Sequence, residues 1–287
     1  MRLELITLNY EGEAMNFQNP DISLLKNKKL FIFDMDGTIY LGKTVFPFAI
    51  RFIKHLREHG KQVMFFTNNA SHSSAFYYQK LKNLGFEPTP QEIMTAGDVT
   101  AEFLLRHRNG KAVYLIGTQE LEDDFRQKGI ALVNETDASA DIVVSSFDTS
   151  LVYEKLNIAC NLIIKGAEYL STHPDFNCPT DTGIMPDSGA IAALITASTG
   201  KVPTYFGKPC RETLDMICEA TGLKKEDLCI FGDRLYTDIA IGRKNGMTAV
   251  LVLSGETTME DVEAADAADR PDYIFPSLDE VDKIFFE

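Results

Sequence analysis

Short apolar runs alternate with amphipathic helical stretches from residue 29 onward, and this alternation constrains the fold more than any other feature of the chain. "LFIF" (30–33), "QVMFF" (62–66), "LCIF" (228–231) and "AVLVL" (249–253) are apolar at nearly every position. A strand that is apolar on both faces must be covered on both faces, as in a parallel sheet between helical layers. Helical patterns fill the intervals at 47–59, 73–84, 209–221 and 236–245. Pro47 suits the first turn of its helix, where an N–H would have no partner, and Gly60, Gly85, Gly222 and Gly246 stand where helices should stop. Strand then helix, repeated, predicts an α/β fold with a doubly wound parallel sheet.

A second strand–helix set occupies the middle of the chain: "AVYLIG" (112–117), "DIVVSSF" (141–147), a helix near 151–164 and "EYLSTH" (168–173). The turn-rich "PDFNCPTDTGIMPDSG" (174–189) then leads to a helix near 190–198. We therefore expect a smaller α/β domain at 97–186 inserted into a core made of 26–96 and 187–287. Residues 1–25 read as a poorly ordered N-terminal extension. A chain of 287 residues has room for both domains.

Charge and composition exclude several function classes. No apolar run reaches the roughly 18 residues that a membrane span needs. Glu4, Glu11 and Glu13 occupy the place where a signal peptide would be apolar. A cytoplasmic location is the expectation. The net charge is −14, and residues 256–287 carry 11 acids against Arg270 and Lys283. Such a stretch reads as a solvated helix face, and with no basic patch to offset it nucleic acid is not expected as a partner. The five cysteines form no C-x-x-C pair and the five histidines no H-x-H, which argues against zinc and against a disulfide framework.

Ligands of an open parallel sheet bind outside the carboxyl ends of its strands. "DMDGT" follows the first core strand, "TNN" the second, and "GDRLYTD" the strand ending at Phe231, while "GKP" precedes the helix at 209. Each alone has an ordinary explanation as a turn or a surface acid; together, at strand ends, they read as phosphoryl transfer. Asp34, Asp36 and Asp233 gather hard oxygen ligands that suit Mg²⁺. Carboxylates brought together unpaired would take up protons, and a divalent cation removes that penalty. Asp34 then stays ionised and serves as a nucleophile. Asp36 protonates the leaving oxygen and afterwards deprotonates the attacking water. The expected metal ligands are the carboxylates of Asp34 and Asp233 and the backbone carbonyl of Asp36. Thr67 and the N–H groups of Asn68 and Asn69 hold phosphoryl oxygens, and Lys208 neutralises their remaining charge. Asp238 orients Lys208 or a metal-bound water. Gly37 permits a tight turn beside the site.

This assembly resembles the haloacid dehalogenase superfamily of phosphohydrolases, in its nitrophenylphosphatase-like subgroup. The motifs that carry the resemblance are "DMDGTIY", "FFTNNAS", "THPDFNCP…PDSGAI", "YFGKP" and "GDRLYTDIAIGRKNGM". It spans roughly 28–280 and implies Mg²⁺, a covalent phosphoaspartate on Asp34, an inserted cap that sets specificity, and a homodimer formed through that cap. It also implies a substrate-facing side chain just before the Pro of "FNCP", here Cys178; the competing reading is a cysteine filling a turn. Tyr40, Tyr205 and Tyr236 are candidates to stack on a substrate ring, against ordinary packing. One departure stands out: Asp187 occupies the place after Pro186 where the subgroup usually has Gly. The expected activity is hydrolysis of a small phosphomonoester. Two alternatives share part of the pattern: a phosphoaccepting signalling module, which needs neither Asp36 nor a cap, and a catalytically silent phosphate-ligand binding protein.

Overall fold

The computed structural model describes residues 21–134, 139–180 and 183–286. Six parallel strands form the main sheet, in the order Tyr273–Phe275, Thr248–Val252, Leu228–Gly232, Leu30–Phe33, Gln62–Thr67 and Ile93–Thr95. The chain starts at the centre and runs outward through 62–67 to 93–95. It later returns to 228–232 on the other side and runs outward again. Strand order therefore reverses between Leu30–Phe33 and Leu228–Gly232, and a crevice opens there at the strands' carboxyl ends. Phe33 pairs with Phe231 in register, so Asp34 and Asp233 leave neighbouring strands almost side by side.

The four strand segments singled out in the sequence all lie in this sheet, and the burial of Leu30–Phe33 is complete on both faces. One face packs Phe31, Phe33, Phe65 and Phe231 against Phe52 of the helix Pro47–Glu58 and Val281 of the helix Leu278–Phe286. The Phe33 and Phe231 rings stack at 5.1 Å. Pro47 opens its helix at the first turn, as expected.

A second sheet of five parallel strands runs in the order Thr204–Tyr205, Glu168–Ser171, Ile142–Ser145, Ala112–Ile116 and Ala131–Leu132. One cluster of buried side chains links the sheets, from Ile32, Met64 and Phe66 through Val99 and Leu104 to Val113 and Leu115. Two boundaries differ from expectation. The helix Ser188–Thr199 buries Ile191 and Ile195 against Tyr114, Val143 and Leu156, and Thr204–Tyr205 bonds to the edge of the second sheet. Residues 187–205 thus go with the inserted unit, not with the core, because the apolar face of that helix matches the second sheet. Residues 22–25 of the supposed extension belong to a short helix, Ile22–Lys26, with Leu25 fully buried; residues 1–20 of that expectation lie outside the described residues. Among the described residues no helix is long and apolar enough to cross a membrane.

Candidate active site

Asp34 is the first residue beyond its strand, and its N–H donates to Phe231 O at 2.8 Å, which fixes the backbone where the strand ends. The chain then turns back on itself: Gly37 N–H donates to Tyr40 O at 2.7 Å. Gly37 has φ +89°, and a Cβ there would lie 2.3 Å from Asp233 Oδ2. Only glycine satisfies both demands. Met35 is buried, and Asp34 and Asp36, one position to either side of it, both line the cavity.

Asp233 follows its strand in the same way and is buried by the loop after the next strand. Glu256 N–H donates to its Oδ2 at 2.7 Å, whereas Oδ1 is buried with no hydrogen-bond partner. Asp238 lies on a π-helical turn, Leu235–Ile239, a distortion often found at functional sites. Both its oxygens are engaged, by Lys208 Nζ at 2.6 Å and by Arg234 N–H at 3.1 Å. Oxygens of Asp34, Asp233 and Asp238 all lie within 4.8 Å of one another. Lys208 is buried and its ammonium also donates to Asp34.

Burial pushes the Asp34 carboxyl up to about 6 despite the opposing charge of Lys208, and burial with the charges of Asp34 and Asp238 raises Asp233 well above the carboxylate range. Lys208 moves the other way: its two carboxylate partners outweigh burial, and it is held protonated. These shifts describe too many carboxylates for the cations present, and the unpartnered Asp233 oxygen marks where a further positive charge belongs. The donor set, all hard oxygens without sulfur or imidazole, fits a divalent cation such as Mg²⁺.

The cavity is about 610 Å³ and is lined by Asp34, Asp36, Thr67, Asn68, Asn69 and Lys208 from the core, and by Asp175, Asn177, Cys178 and Asp187 from the inserted unit. Asn68 does more than expected. Its Oδ1 accepts from Lys208 N–H at 2.7 Å, and its Nδ2 donates to Lys208 O at 2.8 Å and to Asp175 Oδ2 at 3.0 Å. It therefore fixes the Lys208 backbone and ties it to the cap. The Asn69 N–H donates to Thr67 Oγ1 at 3.2 Å, a long bond that a phosphoryl oxygen would compete with. Cys178 is half-buried at the cavity wall.

Of the three tyrosines, Tyr40 reaches the cavity but is itself buried, its hydroxyl accepting from Lys80 at 2.9 Å; Tyr236 is exposed and bonds Glu256. Tyr205 belongs to the edge strand of the second sheet. Lys80, Asp175 and Arg234 were missed in the sequence reading although all three line the cavity. Arg234 had a signal, adjacency to Asp233 in "GDR". Lys80 had none beyond sharing a helix face with Tyr77.

Comparison with known proteins gives the family. A family model for haloacid dehalogenase-like hydrolases matches residues 31–131, and a second, HAD-hydrolase-like, matches 205–281. The acid sugar phosphatase of Staphylococcus haemolyticus is 32% identical over 254 residues, covering 88% of this chain and 95% of its own. Solved structures resemble the whole fold: a 4-nitrophenylphosphatase from Thermotoga maritima has a TM-score of 0.86 at 41% identity, covering 91% of this chain and 99% of its own. A p-nitrophenyl phosphatase from Archaeoglobus fulgidus has a TM-score of 0.84 at 30% identity, covering 90% and 99%. The chain belongs to the haloacid dehalogenase-like hydrolases. Within them it is nitrophenylphosphatase-like, a phosphoric monoester hydrolase, which removes the signalling-module alternative.

Proposed function

We propose that the protein hydrolyses small phosphomonoesters, sugar phosphates among them, with Asp34 as nucleophile, Asp36 as general acid and base, and Mg²⁺ as cofactor. The observation that carries this reading is the carboxylate cluster at the topological switch point, in which Lys208 bridges Asp34 and Asp238 and Asp34 opens to the cavity. The sugar-phosphate part is supported by the name of the Staphylococcus relative.

Asp34 attacks phosphorus, forming an acyl phosphate as the bond to the leaving oxygen breaks. Asp36, exposed to the cavity, gives that oxygen its proton. The Asp36 carboxylate next takes a proton from water; the water attacks phosphorus, the bond to Asp34 breaks, and inorganic phosphate leaves. Lys208 and Thr67 hold the phosphoryl oxygens through both steps, with Asn68 fixing Lys208 from behind. Asp238 positions the Lys208 ammonium. Asp34, the Asp36 carbonyl and Asp233 would hold Mg²⁺, which would supply the charge that keeps Asp34 ionised and offsets that of the phosphoryl oxygens. Asp238 serves as an orienting group in this scheme because both its oxygens already have donors, whereas Asp233 Oδ1 has none. Cys178, on the cap side of the cavity, contacts the leaving group.

Hydrolysis of p-nitrophenyl phosphate is expected to vanish on exhaustive chelation and to return with Mg²⁺ but poorly with Ca²⁺, which is larger and takes more ligands. Full activity after chelation removes the metal from the reading. Asp36→Asn is expected to lower kcat by about 10²- to 10⁴-fold, the usual range for a lost acid–base group, with KM little changed. The pH–rate profile should lose the limb that Asp36 provides; an unchanged kcat and profile would contradict its role.

A further inference from the structure

Asp187 stands where the family resemblance expects glycine, and the structure has built a holder for it. Its Oδ1 accepts from His173 Nε2 at 2.8 Å and from Ser188 N–H at 2.6 Å, so it also caps the helix Ser188–Thr199. His173 is fully buried, and its other ring nitrogen, Nδ1, is hydrogen-bonded to Thr172 Oγ1 at 2.9 Å. The backbone around Asp187 is equally fixed. Its N–H donates to Phe176 O at 2.9 Å, and Gly189 N–H donates to Asp175 O at 2.8 Å. A Cβ at position 189 would lie 2.2 Å from Pro174 O, so the turn and the helix start are in direct contact.

What this holder leaves free is Oδ2. Among the described residues it has no hydrogen bond, and Asp187 lines the same cavity as Asp34, Asp36 and Lys208. The side chain is only 7% exposed. A carboxylate oxygen fixed in advance at a cavity wall, with no donor among the described residues, is suited to a ligand that brings one.

The acidic groups nearby do not supply that donor. Asp175 Oδ2 is itself an acceptor, from Asn68, and Asp36 belongs to the phosphate side of the site. We propose that Asp187 Oδ2 is a subsite for a hydrogen-bond donor on the leaving group, a hydroxyl or an ammonium, and so favours polyol and amino-sugar phosphates over esters that lack such a donor. His173 positions this oxygen and does not touch the substrate. The inference rests on the phosphatase reading and adds the chemistry of the group that departs.

Asp187→Asn tests it, because the amide keeps the volume, the helix cap and an acceptor for His173 while removing the charge. Wild type and variant are compared on p-nitrophenyl phosphate, whose leaving group carries no donor besides the reacting oxygen, on glycerol 3-phosphate and glucose 6-phosphate, and on glucosamine 6-phosphate. For the donor-bearing esters kcat/KM should fall about 10- to 100-fold, mainly through KM, as expected for a hydrogen bond to a charged group. p-Nitrophenyl phosphate should change less than about threefold on the same principle, since it makes no such bond. Loss on the sugar and glycerol esters identifies a hydroxyl as the donor; loss confined to glucosamine 6-phosphate identifies an ammonium. Asp187→Gly, which removes the side chain altogether, should repeat the selective loss, with p-nitrophenyl phosphate turnover reporting that it folds. A uniform loss, or none, overturns the subsite. So does a wild type that cleaves p-nitrophenyl phosphate but none of the donor-bearing esters, and in that case the phosphatase reading survives. A wild type that cleaves nothing in the panel overturns that reading and the subsite with it.

Discussion

Asparagine at position 34 is expected to abolish turnover while leaving the fold and the phosphate site standing. The substitution is nearly isosteric, the Asp34 backbone is held by Phe231 O, and Lys208 keeps its bond to Asp238. An amide is no nucleophile towards phosphorus, so the covalent route closes. Loss of a covalent nucleophile costs at least about 10⁴-fold in kcat in comparable enzymes. Two measurements separate this from general damage. Inorganic phosphate should still bind, since Lys208 and Thr67 remain. Acid quenching during turnover should trap phosphate on the wild-type chain and none on the variant. A purified Asp34→Asn protein, checked for deamidation, that kept more than about a hundredth of wild-type kcat would be incompatible with covalent catalysis there.

The sequence and the structure differ in instructive places. Leu30–Phe33 and Leu228–Gly232 were legible because a strand covered on both faces leaves an apolar run. The strands Ile93–Thr95, Thr204–Tyr205 and Tyr273–Phe275 were not, because two or three residues at a sheet edge carry no period to read. The helix Ser188–Thr199 was foreseen, but not which sheet it covers. That depends on where Ile191 and Ile195 find a complementary surface, a tertiary fact that no window of sequence contains.

The site divides in the same way. Asp34, Thr67 and Asp233 were found because each ends a recognisable strand, and Lys208 because it sits in a short motif at the right place. The structure sets Asp34, Thr67 and Lys208 in the wall of one cavity, with oxygens of the buried Asp233 and Asp238 within 4.8 Å of Asp34. The bond between His173 and Asp187 escaped notice. Fourteen residues and a hairpin, Asn177–Thr180 with Gly183–Pro186, separate the two side chains, so only the folded chain pairs them.

Lys208→Met is expected to give the largest loss of stability of any single substitution in the site, and the loss should depend on pH. The ammonium is buried and bonded to two carboxylates, one of them, Asp238, also buried. Methionine fills much of the volume but leaves those carboxylates without their cation, and breaking a buried pair from one side costs about 3–5 kcal/mol. The sign of the pH dependence follows from Asp34. Its carboxyl titrates near 6 in the folded protein, above its unfolded value, so the metal-free protein is stabilised by Asp34 protonation at low pH and loses that contribution as pH rises through about 6. Without Lys208 the acid-raising effect of burial is no longer opposed by that charge, and the variant should take up protons at a still higher pH. Urea denaturation in EDTA should therefore find the gap between wild type and Lys208→Met wide at pH 7.5 and narrower at pH 5, where protonation neutralises what the lysine had neutralised. The opposite trend, or a gap under about 1 kcal/mol at pH 7.5, would mean that the Asp34–Lys208–Asp238 cluster is not the buried charge assembly on which the proposed chemistry depends.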